Sequence, residues 1–444
     1  MNTFLKGSLL LIIASFFGEC IEFLINMVLA NELGKKGLGL YMSILPTVFL
    51  IVLLASFELP ISISKFIAEK DEKYHRSMLK SVLNLTIMVT SFFLILLTLL
   101  LPVIPIFKHY HPLFKWLVII LVPLISFSSI ARGYFMGKHH MGKIAAANFL
   151  RKLIQLGLLV FLFKWFQFDS QTSILIAFFT FVGSEVVIFI YLLHMLFIQY
   201  QQLKQRPSEL VSGKTVRRNL LSVSIPTTGI RIFHSFTHAV QPFLIKAALV
   251  KAGVDSSAAT EQFGLLSGVA MTIGFFPAFI AHSLLIVLIP TVSKAYAEKN
   301  AGSLQQLLRK VMGFTFLYGI PSVIIFYFFA EPLTNLFLHS PEAARYLQIL
   351  GPYFLLHFFV IPMQAYLIGL GLMKDAFMHN VWGTIVSFSL IYILGSIQGF
   401  QMDGVMIGMN TGSILITLLH YLTICKKIGV SWFLFRQVAD HRFG

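Results

Sequence analysis

Twelve runs of about 17 or more predominantly apolar residues fill most of this 444-residue chain. They cover residues 9–30, 41–59, 82–104, 114–130, 150–166, 174–198, 220–248, 265–289, 311–330, 346–370, 377–397 and 405–425. Each is long enough to cross the hydrocarbon core of a bilayer as a helix. Lipid offers no hydrogen-bond partner to the backbone, so a spanning segment must be a helix or part of a closed barrel. Barrel strands alternate polar and apolar residues. These runs are continuous and rich in the chain's 45 phenylalanines. The expectation is an all-α integral membrane protein of about twelve transmembrane helices.

Only 12% of residues are charged, roughly half the fraction of a soluble domain. The net charge of +16 would suggest nucleic acid in a soluble chain. Here 25 of the 34 Lys and Arg residues fall at the termini or in and beside connections after even-numbered spans, 8 fall on the opposite side, and Arg231 alone lies deep within a span. That bias predicts a cytoplasmic membrane protein with both termini cytoplasmic, its basic loops facing anionic lipid and not nucleic acid. Lys6 before the first apolar run resembles a secretion signal, but Glu19 and Glu22 interrupt it, so a retained helix is expected. Cys20 and Cys425 supply neither a disulfide framework nor a metal-ligand set.

The longest internal polar break, 200–219, contains Pro207 and Gly213. It divides the chain into six-helix lobes at 1–199 and 220–425, with a cytoplasmic linker between them and a cytoplasmic tail at 426–444. The halves echo one another. Ser64-Lys65-Phe66-Ile67-Ala68-Glu69-Lys70 matches Ser293-Lys294-Ala295-Tyr296-Ala297-Glu298-Lys299 as S-K-x-x-A-E-K. Tyr134, Gly137, Met141 and Asn148 recur with the same spacing as Tyr366, Gly369, Met373 and Asn380. Same-order echoes in a membrane protein predict parallel repeats, a transporter architecture.

Ionisable residues inside spans are costly and by default functional. The first span carries Glu19, Glu22 and Asn26 at i, i+3 and i+7, on one helical face. The seventh, its counterpart, carries Arg231, His234 and His238 at the same spacing. Matched positions and opposite charge predict stripes that face each other. They form either an interhelical salt bridge or a substrate and ion site in a central cavity. Glu185, His194, His282, His357 and His420 occur singly and are expected to be satisfied interhelical hydrogen-bonders. Glu58 is placed at the membrane interface, and Lys35 and Lys36 in a solvated turn between Gly34 and Gly37. Pro46, Pro123, Pro226, Pro242, Pro277, Pro321 and Pro362 are candidate kinks. Gly213-Lys214-Thr215 is no phosphate loop, because residue 208 is Ser where Gly is needed and no strand precedes it. No metalloprotease or nucleophile motif occurs, so the sequence implies no cofactor, no metal and no enzyme.

Glu58-Leu59-Pro60-Ile61-Ser62-Ile63-Ser64-Lys65-Phe66-Ile67-Ala68-Glu69 resembles the loop after the second span in stage V sporulation protein B and related polysaccharide transporters. Similar likenesses lie at Arg132-Gly133-Tyr134-Phe135-Met136-Gly137, Phe263-Gly264-Leu265-Leu266-Ser267-Gly268, Leu288-Ile289-Pro290-Thr291-Val292-Ser293-Lys294-Ala295 and 31–41. The resemblance implies the multidrug/oligosaccharidyl-lipid/polysaccharide exporter superfamily, whose two lobes alternate access around a cavity lined by the first and seventh helices. It implies a flippase for a lipid-linked saccharide or cell-envelope precursor, acting in sporulation. Arg231 would then hold a phosphate beside His234 and His238, while Glu19 and Glu22 would bind a coupling cation. The chain departs from the pattern at Glu58, where Gly is common, and on the fifth span, where Arg151 and Gln155 replace Glu and Arg. Acids on the first span suit an exporter of small organic cations, the alternative within this fold. A membrane glycosyl transferase or a non-transporting scaffold are alternatives of another class.

Overall fold

The computed structural model describes the backbone of residues 2–56 and 59–430, and side chains from residue 16 onward except those of 223, 225–227, 230 and 286. The readings at Glu58, Arg436 and Arg442 lie outside the described residues, as do the side chains of Lys6 and Pro226. The described residues form helices and no strand.

Helix α1 spans Asn2–Ser56. Unbroken, it would be roughly 80 Å long, against roughly 30 Å of hydrocarbon, so it holds two spans. The break falls at Gly34 (φ 63°, ψ −178°), a conformation that glycine adopts without a Cβ clash. The following helices are α2 Leu59–Glu69, α3 His75–Leu100, α4 Phe114–Gly137, α5 Met141–Trp165, α6 Ser170–Lys204 and α7 Gly213–Lys251. Asp169 caps α6 by accepting from the Gln171 and Thr172 amides, satisfying two N–H groups that a helix start leaves open. Then come α8 Ser256–Gly264, a π-turn over Leu265–Ala270, α9 Met271–Phe275 and α10 Ala278–Ala297. The chain continues through α11 Ala301–Phe328, α12 Ala330–Asn335, α13 Pro341–Ile349, α14 Gly351–Gly369, α15 Met373–Gly395 and α16 Met402–Ile428.

Nine helices among the described residues are long and apolar enough to cross a membrane. The first of these is α1 with its two spans. The pair Ser256–Phe275 and Ala278–Leu285, bent by 60° beside Pro277, forms a further, broken span. Helix α7, which carries the basic stripe, is less apolar and is not among these nine. Where they are described, the twelve sequence runs are almost wholly helical. Of the candidate kinks, Pro277 coincides with the bend, whereas Pro46, Pro123, Pro321 and Pro362 lie inside continuous helices.

By compactness the chain falls into one unit of Glu32–Val240 and another of Met1–Asn31 with Gln241–Gly444. The cuts fall beside Gly34 in α1 and beside Pro242 in α7. The first span thus groups with the later helices, and most of the seventh with the earlier ones. Within the first unit, the 205–212 segment is tied to the turn before α3 and to the first turn of α3. Glu209 N donates to Lys73 O (3.0 Å), Val211 N donates to Ser77 Oγ (3.1 Å), and Lys73 pairs with the Glu209 carboxylate (2.8 Å).

Each unit repeats one packing motif, built from the residues that echo in sequence. Gly137 of α4 lies against α2, and an added Cβ there would stand 2.5 Å from Ile67 Cβ and 2.7 Å from Ser64 O. Gly369 of α14 lies against α10, with Val292 Cβ at 2.7 Å and Ile289 O at 3.0 Å. The preceding tyrosines, Tyr134 and Tyr366, are both fully buried. Their hydroxyls differ: Tyr366 donates to Leu304 O (2.6 Å), whereas Tyr134 Oη has no partner and its ring meets His75 edge-on. Gly137→Ala and Gly369→Ala should each cost about 1–3 kcal/mol by overpacking. Thermal unfolding in detergent checks this, and an unchanged midpoint for both would argue against the close approach.

Candidate functional site

On α1, Glu19, Glu22 and Asn26 are half-buried and share one face. Asn26 Nδ2 donates to the Glu22 carbonyl one turn back (3.1 Å). Glu19 lies close enough to His282 of α10 for its charge to act on that ring. Beside this stripe opens an apolar cavity of about 470 Å³. Cys20, Phe23 and Leu24 of α1 line it, with Phe276 and Pro277 at the bend and Phe326 of α11. A charged face and an apolar cavity therefore adjoin on one helix, an arrangement that suits a molecule with a polar head and a hydrocarbon tail.

Arg231, His234 and His238 share one face of α7. Arg231 and His238 are exposed and His234 is half-buried, with Thr237 Oγ1 donating to the His234 carbonyl (2.8 Å). The acidic stripe belongs to the compact unit that contains α8–α16, and the basic stripe belongs to the other.

A third polar group was not legible as a site in the sequence. Residues 131–149 read as a loop, but α4 continues to Gly137 and α5 begins at Met141, leaving only 138–140 between them. Arg132 and Asn148 are therefore helical, as is Arg151. Arg132 Nη1 donates to Asn148 Oδ1 (2.7 Å), Arg151 Nη1 to Gln155 Oε1 (3.3 Å), and Arg151 Nε lies 3.5 Å from Glu185 Oε1 of α6. Gln155 and Glu185 are 4% and 7% exposed, and the Phe181 ring lies 5.8 Å from the Arg151 guanidinium. The signal was present: Asn148, Arg151 and Gln155 stand at i, i+3 and i+7, the spacing of the other two stripes. The ion pair makes Glu185 the satisfied interhelical residue expected of it. His420 is not one. It is fully buried, no side chain of another helix hydrogen-bonds its ring in the described residues, and the His379 ring lies 5.1 Å away. Among the described residues no group of three His, Cys, Asp or Glu is placed to hold a metal ion.

The polysaccharide biosynthesis protein family matches residues 4–296, and the MatE family matches 266–393. The chain is 54% identical to sporulation protein YkvU of Bacillus subtilis, over 98% of both chains. It is 32% identical to stage V sporulation protein B of the same organism, over 97% of this chain and 85% of that one. Identity to the lipid II flippase MurJ of Bacillus subtilis is 22%, over 96% of this chain and 84% of the flippase. An inward-facing multidrug resistance MATE family transporter of the MOP superfamily shares the fold at a TM-score of 0.73 and 17% identity, over 92% of this chain and 94% of that one.

Proposed function

Because the chain belongs to the polysaccharide biosynthesis protein family, within the MOP exporter superfamily, we propose that it is a flippase for a lipid-linked saccharide of the cell envelope, acting in sporulation. The observation that carries this reading is the match along nearly the whole chain to a stage V sporulation protein and a lipid II flippase. The acidic face of α1 beside its apolar cavity supports it, since such a cargo joins a polar head to a hydrocarbon tail. Arg231 holds the phosphate with the help of His234 and His238, and Glu19, Glu22 and Asn26 take a coupling cation. The lobes at 1–199 and 220–425 alternate access and make or break no covalent bond of the cargo. Both termini and the 200–219 linker are cytoplasmic.

The test is translocation of a fluorescent lipid-linked saccharide in vesicles holding the purified protein. The label should become accessible from the opposite leaflet, and the recovered lipid should be chemically unchanged. A new glycosidic linkage would favour an enzyme. The acids on α1 favour the second reading, an exporter of small organic cations, and uptake of ethidium in place of the lipid would support it. Reporter fusions after Gly444 and within 200–219 should both read cytoplasmic, and an extracytoplasmic C-terminus would overturn the orientation.

A further inference from the structure

Three connections of the later unit converge on a cavity that neither stripe touches. They are α8, which follows the seventh span, α13, which lies between the ninth and tenth, and the 396–401 turn between the last two. In the twelve-span order read from the sequence each follows an odd-numbered span, which puts all three at one membrane surface, the one opposite the linker. The cavity measures about 290 Å³, at the small end for a ligand site and enough for a sugar ring or two.

Its lining is amide and aromatic. Gln262, Gln398 and Gln401 contribute amides, and Phe400 offers a ring that is 45% exposed. Gln262 Oε1 is buried without a hydrogen-bond partner, a state that costs free energy unless something donates to it. Gln401 holds φ 45° and ψ −120°, a backbone region that glycine favours and glutamine does not. Although it immediately precedes α16, its side chain makes no capping bond. Strain of this kind concentrates where a side chain is needed for binding.

The charges select among ligands. Arg345 Nη2 donates to Asp403 Oδ2 (2.5 Å), which ties α13 to the start of α16 and commits the cavity's arginine. The lining thus holds two carboxylates, Glu342 and Asp403, to one guanidinium, a balance that disfavours phosphate and carboxylate and suits hydroxyls or an amine. Amides pair with vicinal hydroxyls, and an exposed ring packs against the C–H face of a pyranose. We infer that this cavity is a saccharide-binding site, selective for neutral or amino sugars over phosphorylated ones. It rests on the reading of the chain as a saccharide carrier, and places a sugar contact at the membrane surface away from the stripes.

The experiment uses the full-length protein in nanodiscs free of glycoside detergent. Saturation-transfer NMR is recorded with maltotriose, a glucosamine trimer and glucose 1-phosphate. The first two should show transfer and the third should not. Gln262→Ala and Phe400→Ala should each weaken maltotriose binding at least tenfold. Gln401→Gly should weaken binding while keeping or raising the thermal midpoint, which separates loss of the side chain from loss of the fold. Absence of transfer, equal signals in the variants, or a preference for glucose 1-phosphate would overturn the site. Translocation by the wild-type protein is scored separately. Translocation without trisaccharide binding removes the site alone, and binding without translocation removes the carrier reading while the site stands.

Discussion

Arg231→Ala is expected to abolish translocation while leaving the protein in the membrane at near-normal abundance. Arg231 is exposed on α7, so its removal opens no packed core and should change stability little. A guanidinium inside a span is nevertheless expensive, which argues that it is retained for a partner carrying charge. Its planar fork matches two phosphate oxygens at once. Losing hydrogen bonds of that charged kind costs about 1.5–3 kcal/mol each, so rates should fall at least tenfold to a hundredfold. Arg231→Lys keeps the charge without the fork and should retain only part of the activity. The vesicle assay, normalised to protein amount, reads both. If Arg231→Ala instead vanishes from the membrane, its role is structural. The double variant Glu22→Arg with Arg231→Glu tests position as well as charge. It should be inactive, and full activity there would sink the assignment of these residues to cargo.

The spans were legible because apolar runs of membrane length leave few alternatives, and even the break at Gly34 sat inside a visible Gly-Lys-Lys-Gly turn. The start of α5 was not. Arg132, Lys138 and Lys143 made 131–149 look like a basic loop, although Ala145, Ala146 and Ala147 favour helix. The Arg151–Glu185 pair was hidden because its partners are distant in sequence and meet only once the facing sides of α5 and α6 are known. The saccharide cavity was hidden for the same reason, since its residues come from three connections that look unremarkable singly. His420 shows the opposite failure. A polar residue in a span implies a hydrogen-bond partner, and only the packing reveals that its neighbour is another imidazole.

Glu185→Ala should cost about 3–5 kcal/mol, enough to deplete the protein from the membrane. Glu185 is buried, and its carboxylate is the one negative charge in a group that holds both Arg132 and Arg151. Without it, two guanidiniums remain inside α4 and α5 with only Asn148 and Gln155 accepting from them, and amides cannot offset their desolvation. Glu185→Gln should be nearly as damaging, because it keeps the shape and removes the charge. Replacing both members of the pair has a different expected outcome. Arg151→Leu with Glu185→Leu removes two desolvated charges together and should recover most of the abundance, since apolar substitutes for buried pairs are often neutral or better. Abundance in membranes and the thermal midpoint in detergent measure both effects. A double variant no more stable than Glu185→Ala would exclude the pair as the source of the loss. A double variant that folds but does not translocate would show that this third stripe serves the cargo or its coupling ion as well as the fold.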